Sequence, residues 1–225
     1  MRKDWKKHNL KLKRFEKNLV VAKKYKIVAG VDEAGRGPLA GPVVAAACIL
    51  KKYSFTTKIF DSKRLSLSAR QKAFAEIIKK AHVGLGMVNR EIIDEKNILQ
   101  ATIMAMKKAL ANLGVKPEYL LVDGKFKKGV LVYPCRNVVK GDSLCFSIAC
   151  ASIVAKVARD NLMSYYSALY PQYGFDHNRG YCTRQHIRAI KKYGLSPIHR
   201  RSFRPIRGIN GRFKAGAKLK ITGGV

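Results

Sequence analysis

The chain has 225 residues, and its 46 Lys and Arg against 14 Asp and Glu give it a formal net charge of +32. Apolar residues make up 47% of it, which excludes a disordered basic tail and allows a buried core at this length. No apolar run approaches the about 18 residues that a membrane span needs, and the N-terminus does not resemble a signal peptide. The five cysteines form no CxxC pair, which excludes a disulfide framework and a zinc finger and favours a reducing cytoplasm.

The excess positive charge lies at the two ends of the chain. Residues 1–26 hold 11 Lys and Arg with 2 acids, and residues 177–225 hold 13 Lys and Arg with no acid. Basic ends of this kind favour a nucleic acid as partner, because neutralising phosphates releases condensed counterions. Charge alone does not distinguish an enzyme from a binding protein without activity.

The alternation of strands and helices along the chain predicts an α/β fold. Residues 1–26 alternate Lys clusters with single apolar residues, which indicates a helical or loose basic arm. The later elements are identified by β-branched runs between Gly and Pro or by helical spacing of apolar residues. In chain order they are a strand at Ile27–Asp32, a strand at Val43–Leu50, a helix capped by Ser66 or Ser68, a strand at His82–Asn89, a helix at Ile98–Leu113, a strand at Tyr119–Val122, a short pairing segment at Val130–Val132, a buried helix at Phe146–Ala158 and a helix near Thr183–Lys192.

Acidic residues at the ends of apolar strands are the clearest functional signal. Asp32 and Glu33 follow the first strand, Asp123 ends a later one, and Asp142 precedes the buried helix. Open α/β sheets place their sites at the carboxyl ends of strands. Carboxylates without His or Cys favour Mg²⁺ or Mn²⁺ over zinc, and two such ions about 4 Å apart can activate a water against a phosphodiester. For Asp142 alone a turn or capping role is equally supported, but the set predicts metal-dependent phosphodiester hydrolysis.

Other titratable residues have simpler interpretations. Asp160 lies four residues after Lys156, so an ion pair on one helix face is the expected role for both. Three histidines of the basic C-terminal region are interpreted as phosphate contacts or surface residues. They are His177, His186 and His199.

Six segments are distinctive in their order and spacing. They are GVDEAGRGPLAGPVV (Gly30–Val44), DSKRLS (Asp61–Ser66), EYLLVDG (Glu118–Gly124), KGDSLCFSIACASIVAKVARD (Lys140–Asp160), PQYGFDHNRGY (Pro171–Tyr181) and HRRSF (His199–Phe203). Together they resemble ribonuclease HII, the type 2 ribonuclease H. The KGD triplet makes the chain similar to the bacterial, single-subunit enzymes of that family, and the GRG triplet separates it from the type 3 enzymes.

The resemblance implies a ribonuclease H-like fold, with a five-stranded mixed sheet flanked by helices and a C-terminal helical subdomain. On this basis the chain divides into a basic N-terminal arm (1–26), a catalytic domain (27–170), a helical substrate-binding subdomain (171–206) and a basic tail (207–225). The implied activity is cleavage of the RNA strand of RNA–DNA hybrids, and cleavage 5′ of single ribonucleotides embedded in duplex DNA. The implied cofactors are two Mg²⁺ or Mn²⁺ ions, and the products carry 5′-phosphate and 3′-hydroxyl ends.

Site residues carry over from the resemblance by position. Gly35, Arg36 and Gly37 would read the 2′-hydroxyl, largely through the backbone, and Tyr181 would stack on the sugar of the next nucleotide. Glycine lets the backbone approach a sugar closely, and the 2′-hydroxyl is the group that distinguishes RNA from DNA. The implied catalytic metal ligands are Asp32, Glu33, Asp123 and Asp142.

A non-catalytic basic RNA- or DNA-binding protein on the same fold is the main alternative. A DNA nuclease or recombinase of the same superfamily is a second one. A pure binding protein gains nothing from carboxylates near phosphate, and a DNA-specific enzyme has no use for a GRG triplet paired with Tyr181. The expected protein is therefore an enzyme, a cytoplasmic monomer with nucleic-acid substrates and no membrane partner.

Overall fold

The sheet has five strands and is mixed, as predicted. The computed structural model describes residues 4–21, 25–127 and 129–208, so the predicted tail lies outside the described residues from position 209 onward. Strands β1 and β4 and strands β4 and β5 pair in parallel, whereas β1 with β2 and β2 with β3 are antiparallel. The strands are β1 (Val28–Ala34), β2 (Val43–Leu50), β3 (Ala81–Val88), β4 (Tyr119–Asp123) and β5 (Cys135–Val138), in the spatial order β3-β2-β1-β4-β5.

Helices cover both faces of this sheet. They are α1 (Asp4–Val21), α2 (Leu67–Lys80), α3 (Arg90–Ala111), α4 (Phe146–Leu169), α5 (Phe175–Asn178) and α6 (Arg184–Tyr193). Successive side chains of a strand point to opposite faces. Accordingly, Ala45 and Ala47 of β2 join the apolar cluster under α3, while Ala46 and Cys48 join the cluster under α2 and α4. The predicted α/β class with a flanked mixed sheet is confirmed. None of the described helices is long and apolar enough to cross a membrane.

Helix α4 lies directly against β1 because Gly30 has no side chain. A Cβ atom built on Gly30 would lie 2.2 Å from the carbonyl carbon of Ser147, a distance that no real contact reaches. Small residues on α4, such as Ala149 and Ala151, are fully buried at the same interface. The first turns of α4 therefore run beside the end of β1 that carries Asp32.

Two predicted elements differ from the structure. The pairing segment predicted at Val130–Val132 is wrong, since Val132 is 88% exposed and the strand that pairs with β4 is Cys135–Val138. The helix predicted at Ile98–Leu113 is the second part of α3, which begins at Arg90. Asn97 interrupts α3 with a φ of 70°, and its side-chain oxygen accepts hydrogen bonds from the backbone N–H groups of the following turn, so it caps the second part.

The basic N-terminal segment forms a helix that docks on the body of the protein. Leu12 of α1 is 1% exposed and belongs to the core cluster beneath α2 and α4. Asn9 donates to the carbonyl of Thr57 at 3.1 Å and accepts from the N–H of Ile59 at 3.2 Å. The buried Glu16 carboxylate accepts from the N–H of Ser147 at 2.7 Å. Because no side chain of α4 itself caps its N-terminus, Glu16 supplies that acceptor from α1.

The C-terminal helices pack against the loop that follows β1. Their cluster joins Tyr173, Phe175 and Ile190 to Met163 of α4 and to Leu39 of that loop. This contact brings residues far apart in sequence to the same end of β1. The boundaries proposed for the catalytic domain and the helical subdomain stay predictions.

Replacing Leu12 with alanine tests whether α1 belongs to the fold. We expect Leu12→Ala to lower the free energy of unfolding by about 2–5 kcal/mol, since it opens a cavity in the core. Leu10→Ala is the matched control, because Leu10 lies on the same helix and is 48% exposed. Urea unfolding should show a change below about 0.5 kcal/mol for this control. Equal midpoints for the two variants would contradict the docking of α1.

Candidate active site

The parallel pairing of β1 with β4 brings two of the predicted carboxylates together. The last register pair is Val31 with Val122, so the residues that follow, Asp32 and Asp123, lie at adjacent strand ends. Glu33 comes next on β1. These three carboxylates line one cleft with a volume of about 200 Å³. Its other lining residues are Ala34, Gly35, Arg36, Gly37, Ser62, Lys63, Ser152, Lys156, Arg159 and Tyr181.

The fourth carboxylate, Asp142, lies beside the cleft rather than in its lining. Asp142 is 8% exposed and lies in a single 3₁₀ turn, Gly141–Ser143, that leads into α4. The N–H of Gly141 donates to Asp123 Oδ1 at 2.6 Å, which fixes the turn against the end of β4. Asp142 is thus held next to Asp123 by the backbone.

Burial and mutual repulsion disturb the ionisation of these acids. The pKa of Asp32 is raised well above its usual value. Burial is the largest cause, and the nearby charges of Glu33 and Asp123 add to it. Burial also raises the pKa of Glu33, although Arg36 opposes the shift with an ion pair at 3.2 Å. The pKa of Asp142 is raised by burial and by Asp123. Burial and the proximity of these carboxylates to one another therefore disfavour their charged forms.

Lys63 is a cation that faces this negative charge. Burial lowers its pKa, but Asp142, Asp61, Asp32 and Asp123 outweigh burial and the net shift is upward. Lys63 belongs to the DSKRLS segment, yet sequence reasoning gave it no role. Its position two residues after Asp61 offered no signal that it also faces Asp32, Asp123 and Asp142 from three other parts of the chain.

The donor atoms of the cleft fit a hard divalent cation. Every candidate ligand is a carboxylate oxygen, and Glu33 Oε2 is buried without a hydrogen-bond partner. A buried acceptor left unsatisfied is costly, and a cation would relieve it. Among the residues that the structure describes, no group of three or more His, Cys, Asp or Glu side chains is arranged so that it could hold a metal ion by itself. The carboxylates surround an open cleft instead, an arrangement suited to Mg²⁺, which keeps waters and shares its coordination with phosphate.

The guanidinium group of Arg200 binds the loop after β1 from the protein interior. This side chain is fully buried and donates to the carbonyls of Gly35 at 2.6 Å, Arg36 at 2.9 Å and Gly41 at 3.0 Å. Burial lowers its pKa to about 9, so it stays charged at neutral pH. The carbonyls of the loop are therefore turned toward the interior.

A second buried guanidinium group, that of Arg159 on α4, completes this support. It is 1% exposed and donates to the carbonyls of Pro42 and Ala40, each at 3.1 Å, and of Arg179 at 3.0 Å. Gly35 has a φ of +96°, and a Cβ there would lie 2.1 Å from Arg159 Nε, so only glycine fits. Sequence reasoning assigned no role to Arg159 or Arg200; an arginine within the apolar α4 was the one available signal.

The GRG triplet and Tyr181 are neighbours in the lining of the cleft. A Cβ on Gly37 would lie 3.7 Å from Tyr181 Cε1, and the Tyr181 side chain is 45% exposed. The N–H of Leu39 donates to the carbonyl of Gly180 at 2.7 Å, which joins the two segments. In the described part of the chain, no N–H of Gly35, Arg36 or Gly37 donates to a protein acceptor. The structure thus brings the predicted sugar-reading residues to the carboxylate cleft.

The interpretation of two histidines is wrong. His186 is 0% and His199 is 1% exposed, so neither is a surface residue or a phosphate contact. Aromatic rings of the C-terminal cluster enclose both of them. His177, in contrast, is on the surface, with an 80% exposed side chain. The predicted ion pair between Lys156 and Asp160 is present.

Comparison with known proteins gives one consistent family. The family model for ribonuclease HII matches residues 29–206. The chain is 50% identical over 194 residues to ribonuclease HII of Acholeplasma laidlawii, covering 85% of this chain and 94% of that one. It is 48% identical over 195 residues to ribonuclease HII of Chlamydia pneumoniae, covering 86% and 90%.

Solved structures agree with this result. Ribonuclease H2 of Pyrococcus horikoshii matches with a TM-score of 0.70 and 28% identity, over 82% of this chain and 97% of that one. The complex of Bst-RNase HIII with Mn²⁺ matches with a TM-score of 0.65 over 84% of this chain and 71% of that one. Its identity is 17%, so it supports the fold alone.

Thermal unfolding with and without divalent metal tests the carboxylate cleft. Because the pKa values of Asp32, Glu33 and Asp142 are raised on folding, the metal-free protein loses stability as pH rises through the raised values. A bound cation removes this repulsion, so Mn²⁺ should raise the melting temperature over EDTA, and more at pH 8 than at pH 5.5. At 100 times the dissociation constant the gain is about 2.7 kcal/mol. Asp123→Asn should reduce the shift; an equal shift in that variant would contradict the site.

Proposed function

The chain belongs to the ribonuclease HII family and is an endonuclease that acts on RNA–DNA hybrids, and we propose that four carboxylates form its catalytic centre. The observation that carries the proposal is the single cleft in which buried carboxylates meet the GRG triplet and Tyr181. A carboxylate cluster alone would fit many hydrolases, whereas a backbone loop beside it that can read a ribose points to ribonucleotides. The four residues are Asp32, Glu33, Asp123 and Asp142.

These carboxylates would hold two Mg²⁺ or Mn²⁺ ions. When bound, two such ions supply an activated water and stabilise the leaving oxygen of the phosphodiester. The residues of the chain orient this chemistry: Gly141 fixes Asp123 through its N–H, and Arg36 holds Glu33 at one oxygen and leaves the other free. Lys63 compensates part of the negative charge and lies where a substrate phosphate would approach the cleft.

The loop at Gly35–Gly37 would recognise the 2′-hydroxyl through its backbone. Since Arg200 binds the carbonyls of Gly35 and Arg36 from the interior, the free N–H groups of this loop are available to a sugar oxygen. Tyr181 would stack on the next sugar, beside Gly37. A nucleotide that carries a 2′-hydroxyl and is followed by a deoxynucleotide satisfies both contacts. This selectivity corresponds to cleavage 5′ of a single ribonucleotide embedded in DNA.

Water, rather than the 2′-hydroxyl, would be the nucleophile. Attack by the 2′-hydroxyl needs a general base and a general acid, for which a pair of histidines is the usual choice. His186 and His199 are buried outside the cleft and bonded to each other, so they do not reach a substrate. Hydrolysis by water leaves a 5′-phosphate and a 3′-hydroxyl.

The non-catalytic alternative is not favoured. Buried carboxylates with raised pKa values beside a basic surface cost stability and repel phosphate, which a pure binding protein has no reason to retain. We further propose that the chain acts as a monomer in the bacterial cytoplasm. Its similarity to bacterial ribonuclease HII supports this proposal, and the cysteines, all free in the described residues, fit a reducing compartment.

Asp123→Asn tests the assignment of the carboxylates. We expect cleavage of a duplex with one ribonucleotide to be lost in Mg²⁺, because a neutral amide is a poor ligand for a hard cation. Affinity for the same duplex should be unchanged or higher, since one charge that repels phosphate is removed. Asp176→Asn is the control, as that acid lies on the surface near Ser167. A rate for Asp123→Asn above about a tenth of wild type would contradict its role as a ligand.

Charge reversal on α1 tests the part of the basic arm that the structure describes. The docked helix exposes Lys7, Lys11 and Arg14, and deleting it would also remove its core contacts. Reversing these three charges to Glu should weaken binding to RNA, DNA and hybrid by the same factor. Each lost phosphate contact lowers the slope of log affinity against log salt by about 0.9.

The control for this experiment reverses Lys107 and Lys116, which are exposed on the α3 side of the sheet. Its salt slope should stay near that of the wild type. An unchanged slope for the α1 variant would show that the helix does not contact the duplex.

A further inference from the structure

A chain of hydrogen bonds runs through the C-terminal subdomain and ends at Tyr181. The N–H of Ser196 donates to His199 Nδ1 at 2.8 Å, and the Ser196 hydroxyl contacts the same nitrogen at 2.7 Å. His199 Nε2 and His186 Nε2 are 2.9 Å apart. His186 Nδ1 lies 2.9 Å from the carbonyl oxygen of Tyr181, which also accepts from the N–H of Thr183 at 2.8 Å. No step of the proposed reaction uses these histidines.

The first link of this chain determines the protonation of all the others. A backbone N–H can only donate, so His199 Nδ1 accepts and carries no proton. A neutral His199 then has its proton on Nε2 and donates it to His186 Nε2. His186 must therefore carry its own proton on Nδ1, where it donates to the carbonyl of Tyr181. A proton on the wrong nitrogen of either ring would break two of these bonds.

The surroundings keep both rings neutral. Tyr173 and Phe175 pack against the two imidazoles, with ring centroids 4.9 Å apart for Tyr173 and His199 and 5.4 Å apart for Phe175 and His186. Burial lowers the pKa of His199 to about 3 and also lowers the pKa of His186. The order of donors is thus set by neutral tautomers in a closed, apolar environment.

We infer that His186 is a positioning residue for Tyr181, and that Ser196 and His199 hold it in the one tautomer that can donate to the Tyr181 carbonyl. The inference rests on the proposed role of Tyr181 at the ribose–deoxyribose junction. Because the Tyr181 side chain is exposed toward the cleft, its direction depends on how its backbone is held. The consequence is selectivity: loosening this carbonyl should impair junction cleavage more than cleavage of a long hybrid.

Nuclear magnetic resonance of the wild-type protein tests the chain directly. Two-bond correlations between ring protons and ring nitrogens distinguish the tautomers of ¹⁵N-labelled histidine. We expect His199 to carry its proton on Nε2 and His186 on Nδ1 at neutral pH, with assignments taken from spectra of single histidine variants. The opposite tautomer on His186, or a charged ring on either residue, would overturn the inference. Because the tautomers are measured in the wild-type protein, this experiment tests the inference even if a variant fails to fold and its kinetics cannot be measured.

Two substitutions of His186 separate positioning from general stability. In His186→Asn the amide nitrogen is bonded to Cγ, as Nδ1 is, so it can still donate to the Tyr181 carbonyl. In His186→Gln the amide lies one atom further out, so it keeps the link to His199 and loses that donor. Each variant loses one buried hydrogen bond, so both melting temperatures should fall by a similar amount.

The readout is the ratio of kcat/KM for a duplex with one ribonucleotide to kcat/KM for a long RNA–DNA hybrid. His186→Gln should lower this ratio about fivefold, the factor one ordinary hydrogen bond contributes, while His186→Asn keeps the wild-type ratio. Equal ratios for the two variants would overturn the inference. Tyr181→Ala, measured alongside, should lower the ratio as well. A wild-type ratio for Tyr181→Ala would instead remove Tyr181 from the proposed function, and the inference with it.

Discussion

The close packing of α4 on β1 is the constraint on which the rest of the structure depends. Gly30 allows the helix backbone to touch the strand, and that contact sets what lies at the strand's carboxyl end. The turn with Asp142 leads into α4, Glu16 from α1 caps its first turn, and Arg159 further along it reaches the loop after β1. Helix α4 thus connects the carboxylate cleft, the loop after β1 and the docked helix α1. Any side chain at Gly30 would displace all of them together.

Charge is the second organising feature of the site. Buried and half-buried carboxylates repel one another at the ends of β1 and β4, while two buried guanidinium groups contact the loop that follows β1. Arg159 and Arg200 do not neutralise the carboxylates, because their N–H groups are bonded to loop carbonyls. These two guanidinium groups shape the loop, and the carboxylates of the cleft remain available for the divalent cations that we propose they bind.

Sequence reasoning predicted what local patterns determine. Buried strands such as β2 are continuous apolar runs, and acids that follow β1 and β4 must meet once those strands pair in parallel. The strand Cys135–Val138 was missed because its residues are mixed in polarity and its pairing with β4 is set by a long loop. The docking of α1 was missed because a single buried Leu12 among lysines gives a weak apolar stripe.

The two buried histidines show a further limit. Their basic neighbours in sequence suggested a solvent-exposed region, whereas the residues that enclose them, Tyr173 and Phe175, come from a separate segment. Arg159 and Arg200 are similar, since all but one of their partners are backbone carbonyls more than a hundred positions earlier, in a loop that no local pattern connects to them. Interactions of this kind depend on tertiary contacts and leave no periodic signal.

Anomalous X-ray scattering from manganese is the most direct test of the central claim, that these carboxylates hold two divalent ions. Crystals of the wild-type protein with Mn²⁺ and a cleaved duplex would be measured at the manganese absorption edge. The account predicts two peaks about 4 Å apart, in contact with Asp32, Glu33, Asp123 and Asp142. Manganese peaks confined to other parts of the protein, with none at the ends of β1 and β4, would contradict it.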